Sequence, residues 1–274
     1  MCGRYASTRS AEDLVAEFDA VDASEGVDLR PSYNVAPTDR VGIVRRSRRA
    51  SQLAAAGATA GGGALSAAHA PAGDGDQADD ESGRVVSVVR WGLVPSWAKD
   101  PGIGSRMLNA RAESLAEKPA FRAAFARRRC LIPADGWFEW TPRQNSTGKQ
   151  AYFMTPASGG GLVFAGLWEV WGSGDDRLYT CTVVTTASFG PLAEVHDRMP
   201  LVLPPERWSA WLGEEPADPE GLLAPSPAGL VDAVEIRPVG AAVGNVRNNG
   251  PELVERAADS AFKPERIDLN QTLF

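Results

Sequence analysis

The chain predicts an α+β fold rather than an alternating parallel α/β sheet. Short β-branched and aromatic runs outnumber helical patterns along the sequence. The few helical segments fall at unequal intervals instead of between successive strands. No glycine-rich phosphate loop and no GxGxxG follows any of the extended runs.

The first helix is expected over Ser10 to Ala20. Ser10 stands as N-cap, Asp13 three residues later completes a capping box, and Leu14, Val15 and Phe18 share one face. Val41–Val44 and Val85–Leu93 read as strands. Between them Ser51 to Ser82 consists almost wholly of Ala, Gly, Ser and Asp. Such a segment has too little apolar surface to order itself and is expected to be a disordered hairpin insertion, which removes His69 as a functional candidate. Ala112 to Arg129 has helical spacing, with Leu115, Phe121 and Phe125 on one side. It ends in Arg127, Arg128 and Arg129, which are either cations complementing a helix C-terminus or a phosphate-contacting patch. Extended segments follow at Cys130–Ile132, Gly136–Trp140, Ala151–Met154, Gly161–Val170 and Leu178–Thr186. Pro204 and Pro205 then open a helix carrying Trp208, Trp211 and Leu212, closed by Gly213.

A length of 274 residues with 43% hydrophobic content and eight Trp supplies a sizeable core. No apolar run approaches the ~20 residues of a membrane span, and no basic-then-apolar leader opens the chain, so a cytoplasmic protein without membrane contact is expected. Three widely spaced cysteines argue against a disulfide framework and against a zinc knuckle; no metal and no cofactor is expected. The formal charge of -7 counts against nucleic acid as a partner. Three of those negative charges belong to residues 47–83, however, and the basic residues are 24 Arg against 4 Lys. Arginine is the residue better suited to forked phosphate contact, although a GC-rich genome gives the same bias.

The most informative residue is Cys2. A small second residue normally allows removal of the initiator methionine, leaving a thiol and a free α-amine on adjacent carbons. The amine condenses with an aldehyde to an imine and the sulfur closes on the same carbon, giving a thiazolidine. With ordinary pKa values near ~8.5 for the thiol and ~7.7 to 8.0 for the amine, a useful minority of each is nucleophilic at neutral pH. A chance cysteine is the plainer alternative. Outside the insertion the one histidine is His196, on a loop beyond an expected strand and of the type that shuttles protons at neutral pH. Glu139 lies among Trp137, Phe138 and Trp140. Alternation permits either an exposed strand residue or a pocketed general acid with a raised pKa. Asn109 and Arg111 precede a helical pattern as a cap or as a phosphate contact.

Taken in order, Met1-Cys2-Gly3-Arg4-Tyr5, Tyr33-Asn34-Val35-Ala36-Pro37-Thr38, Trp91-Gly92-Leu93-Val94-Pro95, Asn109-Ala110-Arg111-Ala112-Glu113, Gly136-Trp137-Phe138-Glu139-Trp140, His196-Asp197-Arg198-Met199-Pro200 and Val243-Gly244-Asn245-Val246 resemble the SOS response-associated peptidase (SRAP) family. The resemblance implies a single domain over residues 1–257, interrupted at about 47–83 and followed by a tail over 258–274. Its sheet would be mixed, mostly antiparallel and bifurcated, around a barrel-like core with a few flanking helices. It further implies a monomeric, nucleoid-associated protein that binds single-stranded DNA at replication forks and traps abasic sites covalently. Cys2 would be the nucleophile, Asn109 would orient the sugar, Glu139 would assist proton transfer, and His196 would open the sugar ring and reverse the crosslink. Arg4, Arg111 and Arg198 would contact phosphates, and Pro37 and Trp140 would pack against the flanking bases. The family name also records a proposed autoproteolytic release of the residue before Cys2.

Two other functions compete. A class II glutamine amidotransferase-like amidohydrolase also begins Met-Cys-Gly, but leaves Glu139 and His196 without work. A single-strand binding module without a covalent step leaves Cys2 unexplained.

Overall fold

The computed structural model describes residues 3–47, 83–143 and 147–257. Cys2, the expected insertion over 51–82 and the tail after 257 lie outside the described residues. Thirteen strands are described: β1 (Tyr5–Ser7), β2 (Ala20–Asp22), β3 (Ser32–Val35), β4 (Arg40–Ser47), β5 (Gly83–Trp91), β6 (Asn109–Arg111), β7 (Arg129–Ala134), β8 (Gly136–Pro142), β9 (Lys149–Pro156), β10 (Leu162–Trp171), β11 (Leu178–Ala187), β12 (Arg198–Pro200) and β13 (Val234–Val239). The described helices are short: α1 (Ala11–Phe18), α2 (Arg122–Arg127), α3 (Leu192–Val195), α4 (Trp208–Leu212), α5 (Pro219–Leu222) and α6 (Ala228–Asp232).

Five strands close a barrel. β4 pairs antiparallel with β5 and β7, β7 with β10, and β10 with β11. The ring closes where β11 runs parallel to β5, Thr180 opposite Arg90 and Cys181 opposite Trp91. Beyond that closure β11 continues and gathers β6 on one edge and β12 on the other. A second sheet, in the order β13-β9-β8-β1-β3, packs across the barrel. This is the α+β architecture expected, mostly antiparallel around a barrel core.

The core forms where the two sheets meet. Barrel residues Ile43, Cys130, Phe164 and Cys181 share one cluster with Tyr5, Trp137 and Met154 of the second sheet. Edge-to-face pairs join the layers: Tyr5 to Trp91 at 5.1 Å and Trp137 to Phe164 at 6.1 Å. A Cβ at position 136 would run into the Met154 carbonyl oxygen, so β8 must open on glycine for β9 to lie this close.

The outer barrel face is covered by helices. α1 buries Leu14 and Phe18, each worth roughly 1.5–3 kcal/mol. Its start is the expected capping box, with the Ser10 amide donating to Asp13 at 2.8 Å and the Asp13 amide donating to Ser10 at 3.1 Å. It stops two residues before the expected Ala20, because Asp19 turns left-handed and Ala20 joins β2. The Pro204-Pro205 helix also forms, with its first turn 3-10, and ends at Gly213 with φ +76°.

The continuous helix expected over Ala112 to Arg129 does not form. A single 3-10 turn, Ala112–Ser114, is followed by turns and then α2. Pro119 explains the break: it lacks an N–H and disfavours helical backbone in Lys118 before it. Of the arginine triplet, Arg128 pairs with the buried Glu169 at 2.9 Å. Arg129 donates to the Phe125 carbonyl at 2.9 Å and to the Trp211 carbonyl. These two side chains are thus held by the protein's own acceptors.

Candidate active site

The alternation of β8 decides what Glu139 faces. Trp137 and Glu139 point to the core shared with the barrel, while Phe138 and Trp140 point to the opposite face, with ring centroids 6.4 Å apart. Glu139 is only 4% exposed and lies across the ladder from Tyr152. Burial therefore pushes its carboxyl up to about 7, with the charge of Asp197 adding to the shift. Of the two readings open from sequence, the exposed strand residue is excluded, because the carboxyl is buried.

β1 lies alongside β8 just ahead of this carboxyl. Tyr5 pairs with Trp137 and Ala6 with Gly136, and the Phe138 N–H donates to the Arg4 carbonyl at 2.9 Å. The chain leading back from Arg4 through Gly3 consequently runs alongside Glu139.

His196 comes from the connection between α3 and β12. It ends α3, which packs on β8 and seats Val195 in the core beside Trp137. The Arg198 N–H donates to its Nδ1 at 2.9 Å. The same Nδ1 lies 3.2 Å from the Arg198 carbonyl oxygen, so it faces a backbone donor and a backbone acceptor, and either neutral tautomer finds a partner there. The Asp197 carboxylate, 2.9 Å from the same Nδ1 and with its side chain 85% exposed, gains an ion pair only when the ring is protonated. Burial lowers the His196 pKa, which favours the neutral ring. Asp197 acts on both groups, which ties the His196 loop to Glu139.

The free end of β11 positions the remaining groups. In parallel register, Asn109 lies opposite Val183 and Arg111 opposite Thr185; on the other edge Arg198 lies opposite Ala187. Asn109 is thus a strand residue rather than a helix cap, and it follows Leu108, whose carbonyl accepts from Trp91 Nε1 at 2.9 Å. Arg111 is exposed. Arg198 is largely covered: its fork meets both Glu113 oxygens, at 2.7 and 3.0 Å, and one terminal nitrogen also donates to the Thr185 carbonyl at 2.6 Å.

Arg4 is anchored beside β3. It donates to Asn34 Oδ1 at 2.7 Å and to the Val243 carbonyl at 2.9 Å. Asn34 is buried, and its Nδ2 lies within hydrogen-bond reach of the carbonyls of Val243, Asn245 and Asn248. One side-chain amide thereby fastens residues 243–248 to β3. Pro37 is half-buried in the turn after β3, ahead of Thr38 in a left-handed conformation at φ +74°. A β-branched residue there carries strain.

Arg4 and Glu139 thus lie on the paired strands β1 and β8, the His196 loop follows α3, which packs on β8, and Asn109, Arg111 and Arg198 flank the end of β11. Sequence reasoning assigned no role to Asn34, Thr38 or Glu113. Asn34 and Glu113 stand inside recognisable motifs, yet only the tertiary hydrogen bonds reveal what they hold.

Comparison with known proteins places this arrangement. Abasic site processing protein YoqW of Bacillus subtilis (strain 168) is 34% identical over 259 residues, covering 93% of this chain and 99% of that one. Abasic site processing protein YedK of Escherichia coli (strain K12) is 30% identical over 260 residues, covering 93% and 99%. Abasic site processing protein HMCES of Mus musculus is 34% identical over 217 residues, covering 68% and 60%. A crystal structure of a Bacteroides thetaiotaomicron protein superposes with a TM-score of 0.69 at 21% identity, covering 93% of this chain and all of that one, which shows the fold. Since the family description SOS response associated peptidase (SRAP) also matches residues 1–246, the chain belongs to the SRAP family.

Proposed function

We propose that this protein processes abasic sites in DNA by forming a covalent adduct through Cys2 once Met1 has been removed. The observation that carries the reading is Glu139. It is a buried carboxyl with a pKa of about 7, beside the strand that leads to the chain's amino terminus. At neutral pH such a group is about half protonated and serves either direction of proton transfer. Relatives named for abasic site processing support the substrate class.

In the proposed reaction the Cys2 amine adds to the aldehyde of the ring-opened deoxyribose. Glu139 protonates the departing hydroxyl, water leaves, and an imine forms. The Cys2 sulfur then adds to the imine carbon while the nitrogen takes a proton, closing the thiazolidine; the net change is loss of one water. His196 exchanges a proton with the deoxyribose ring oxygen during opening and again during reversal. Asn109 orients the sugar. Arg4, Arg111 and Arg198 hold phosphates, and Pro37 and Trp140 pack against flanking bases of single-stranded DNA. The same Cys2, Glu139 and His196 suffice for a proposed autoproteolytic step at Met1. Monomeric action close to replicating DNA is part of this reading.

The test is incubation with an oligonucleotide bearing one abasic site, followed by denaturing electrophoresis. A shifted band that Cys2→Ala abolishes is expected. An undiminished band in Cys2→Ala overturns the mechanism, because Cys130 and Cys181 are buried and have no adjacent free amine. Glutamine hydrolysis without any adduct would favour the amidohydrolase reading.

A further inference from the structure

We propose that Glu113 is an internal surrogate for a DNA phosphate: its carboxylate caps the Arg198 fork in the free protein and must swing aside for the backbone to bind there. The inference rests on the reading above that Arg198 and Arg111 contact phosphates. A carboxylate and a phosphate offer a forked guanidinium the same pair of oxygen acceptors. Here the Glu113 oxygens take both terminal nitrogens of Arg198, at 2.7 and 3.0 Å.

The burial of the two partners is unequal. The Arg198 side chain is 11% exposed and that of Glu113 is 54% exposed, so the acid sits on the solvent side from which DNA would arrive. Arg198 does not need Glu113 to keep its place. Its donations to the Thr185 carbonyl at 2.6 Å and the Thr185 hydroxyl at 3.3 Å hold it on β11 independently. Glu113, on the exposed side of the single turn Ala112–Ser114, can rotate away without disturbing the core. Arg111 also acts electrostatically on Glu113, so the surrogate is influenced by both proposed phosphate contacts. The consequence is a threshold. An isolated phosphate gains little by displacing the carboxylate, whereas a strand that also engages Arg4 and Arg111 recovers the loss.

The experiment measures binding of a labelled single-stranded oligonucleotide without an abasic site, by fluorescence anisotropy on the full chain at fixed salt. Glu113→Gln keeps the shape and removes the competing charge. It should tighten binding by about two- to fivefold, the range expected from losing one partly exposed ion pair. The gain should vanish in an Arg198→Gln background and be absent in Glu117→Gln, an exposed acid outside the fork. Weaker binding by Glu113→Gln overturns the inference, since Glu113 would then be holding Arg198 ready for phosphate. An equal gain in the Arg198→Gln background, or from Glu117→Gln, overturns it as an ordinary charge effect. If the wild-type protein neither binds single strands nor forms the abasic adduct, the functional reading falls and takes this inference with it.

Discussion

Glu139→Gln should make the protein more stable and less active, and both effects follow from one number. A carboxyl raised from an ordinary value of 4.5 to about 7 binds its proton more tightly in the folded chain than in the unfolded one. Between those two pH values the native state holds the extra proton, so stability falls as pH rises and the full penalty is present above 7. At about 1.4 kcal/mol per pKa unit the penalty is about 3 kcal/mol. The amide is neutral at every pH and nearly isosteric, so the variant escapes it. Denaturant unfolding at a series of pH values should show the variant near wild type at pH 4.5 and more stable by about 3 kcal/mol at pH 8. In melting temperature this corresponds to roughly 6–12 °C. Over the same range adduct formation should slow by about 10² to 10⁴, the usual worth of general acid or base help, with DNA affinity retained. A stability difference that stays flat from pH 4.5 to 8 would refute the reasoning, for then the carboxyl is not held protonated near neutrality.

Two further outcomes are expected. Asn34→Ala should destabilise the fold by about 2–4 kcal/mol, because it strips polar partners from the Arg4 fork and from carbonyls of the 243–248 segment. Faster hydrogen exchange there and weaker DNA binding through a loosened Arg4 should accompany the loss, and unchanged exchange would count against the anchoring role. His196→Ala should slow both adduct formation and release into a competitor oligonucleotide by about 10² or more while leaving affinity at fixed salt nearly intact, since one proton transfer is traversed in both directions. A variant that binds weakly yet reacts at wild-type rate once saturated would make His196 a binding group.

The sequence by itself determined those features whose causes are local. Ser10 and Asp13 meet within one helical turn, so the capping box is readable without knowing the fold. The β-branched runs of β4, β5, β10 and β11 declare themselves because extended backbone suits such side chains whatever they pair with. The family motifs, with Cys2 at their head, are likewise written in residue order. Tertiary structure decided everything that depends on a distant neighbour. The brief strands β1, β3, β6 and β12 carry too few residues to show a period, and they exist because partners elsewhere in the chain complete their ladders. Barrel closure requires β11 to meet β5, which lies about ninety residues earlier. The period-two pattern of β8 left Glu139 either wet or buried; packing of the second sheet onto the barrel buried it, and desolvation set its pKa. The same holds for Arg198 and Glu113, 85 residues apart, whose pairing arises only because β6 and β12 flank one strand. A side chain's charge state and partners belong to the volume around it, and that volume is assembled from segments that sequence order keeps apart.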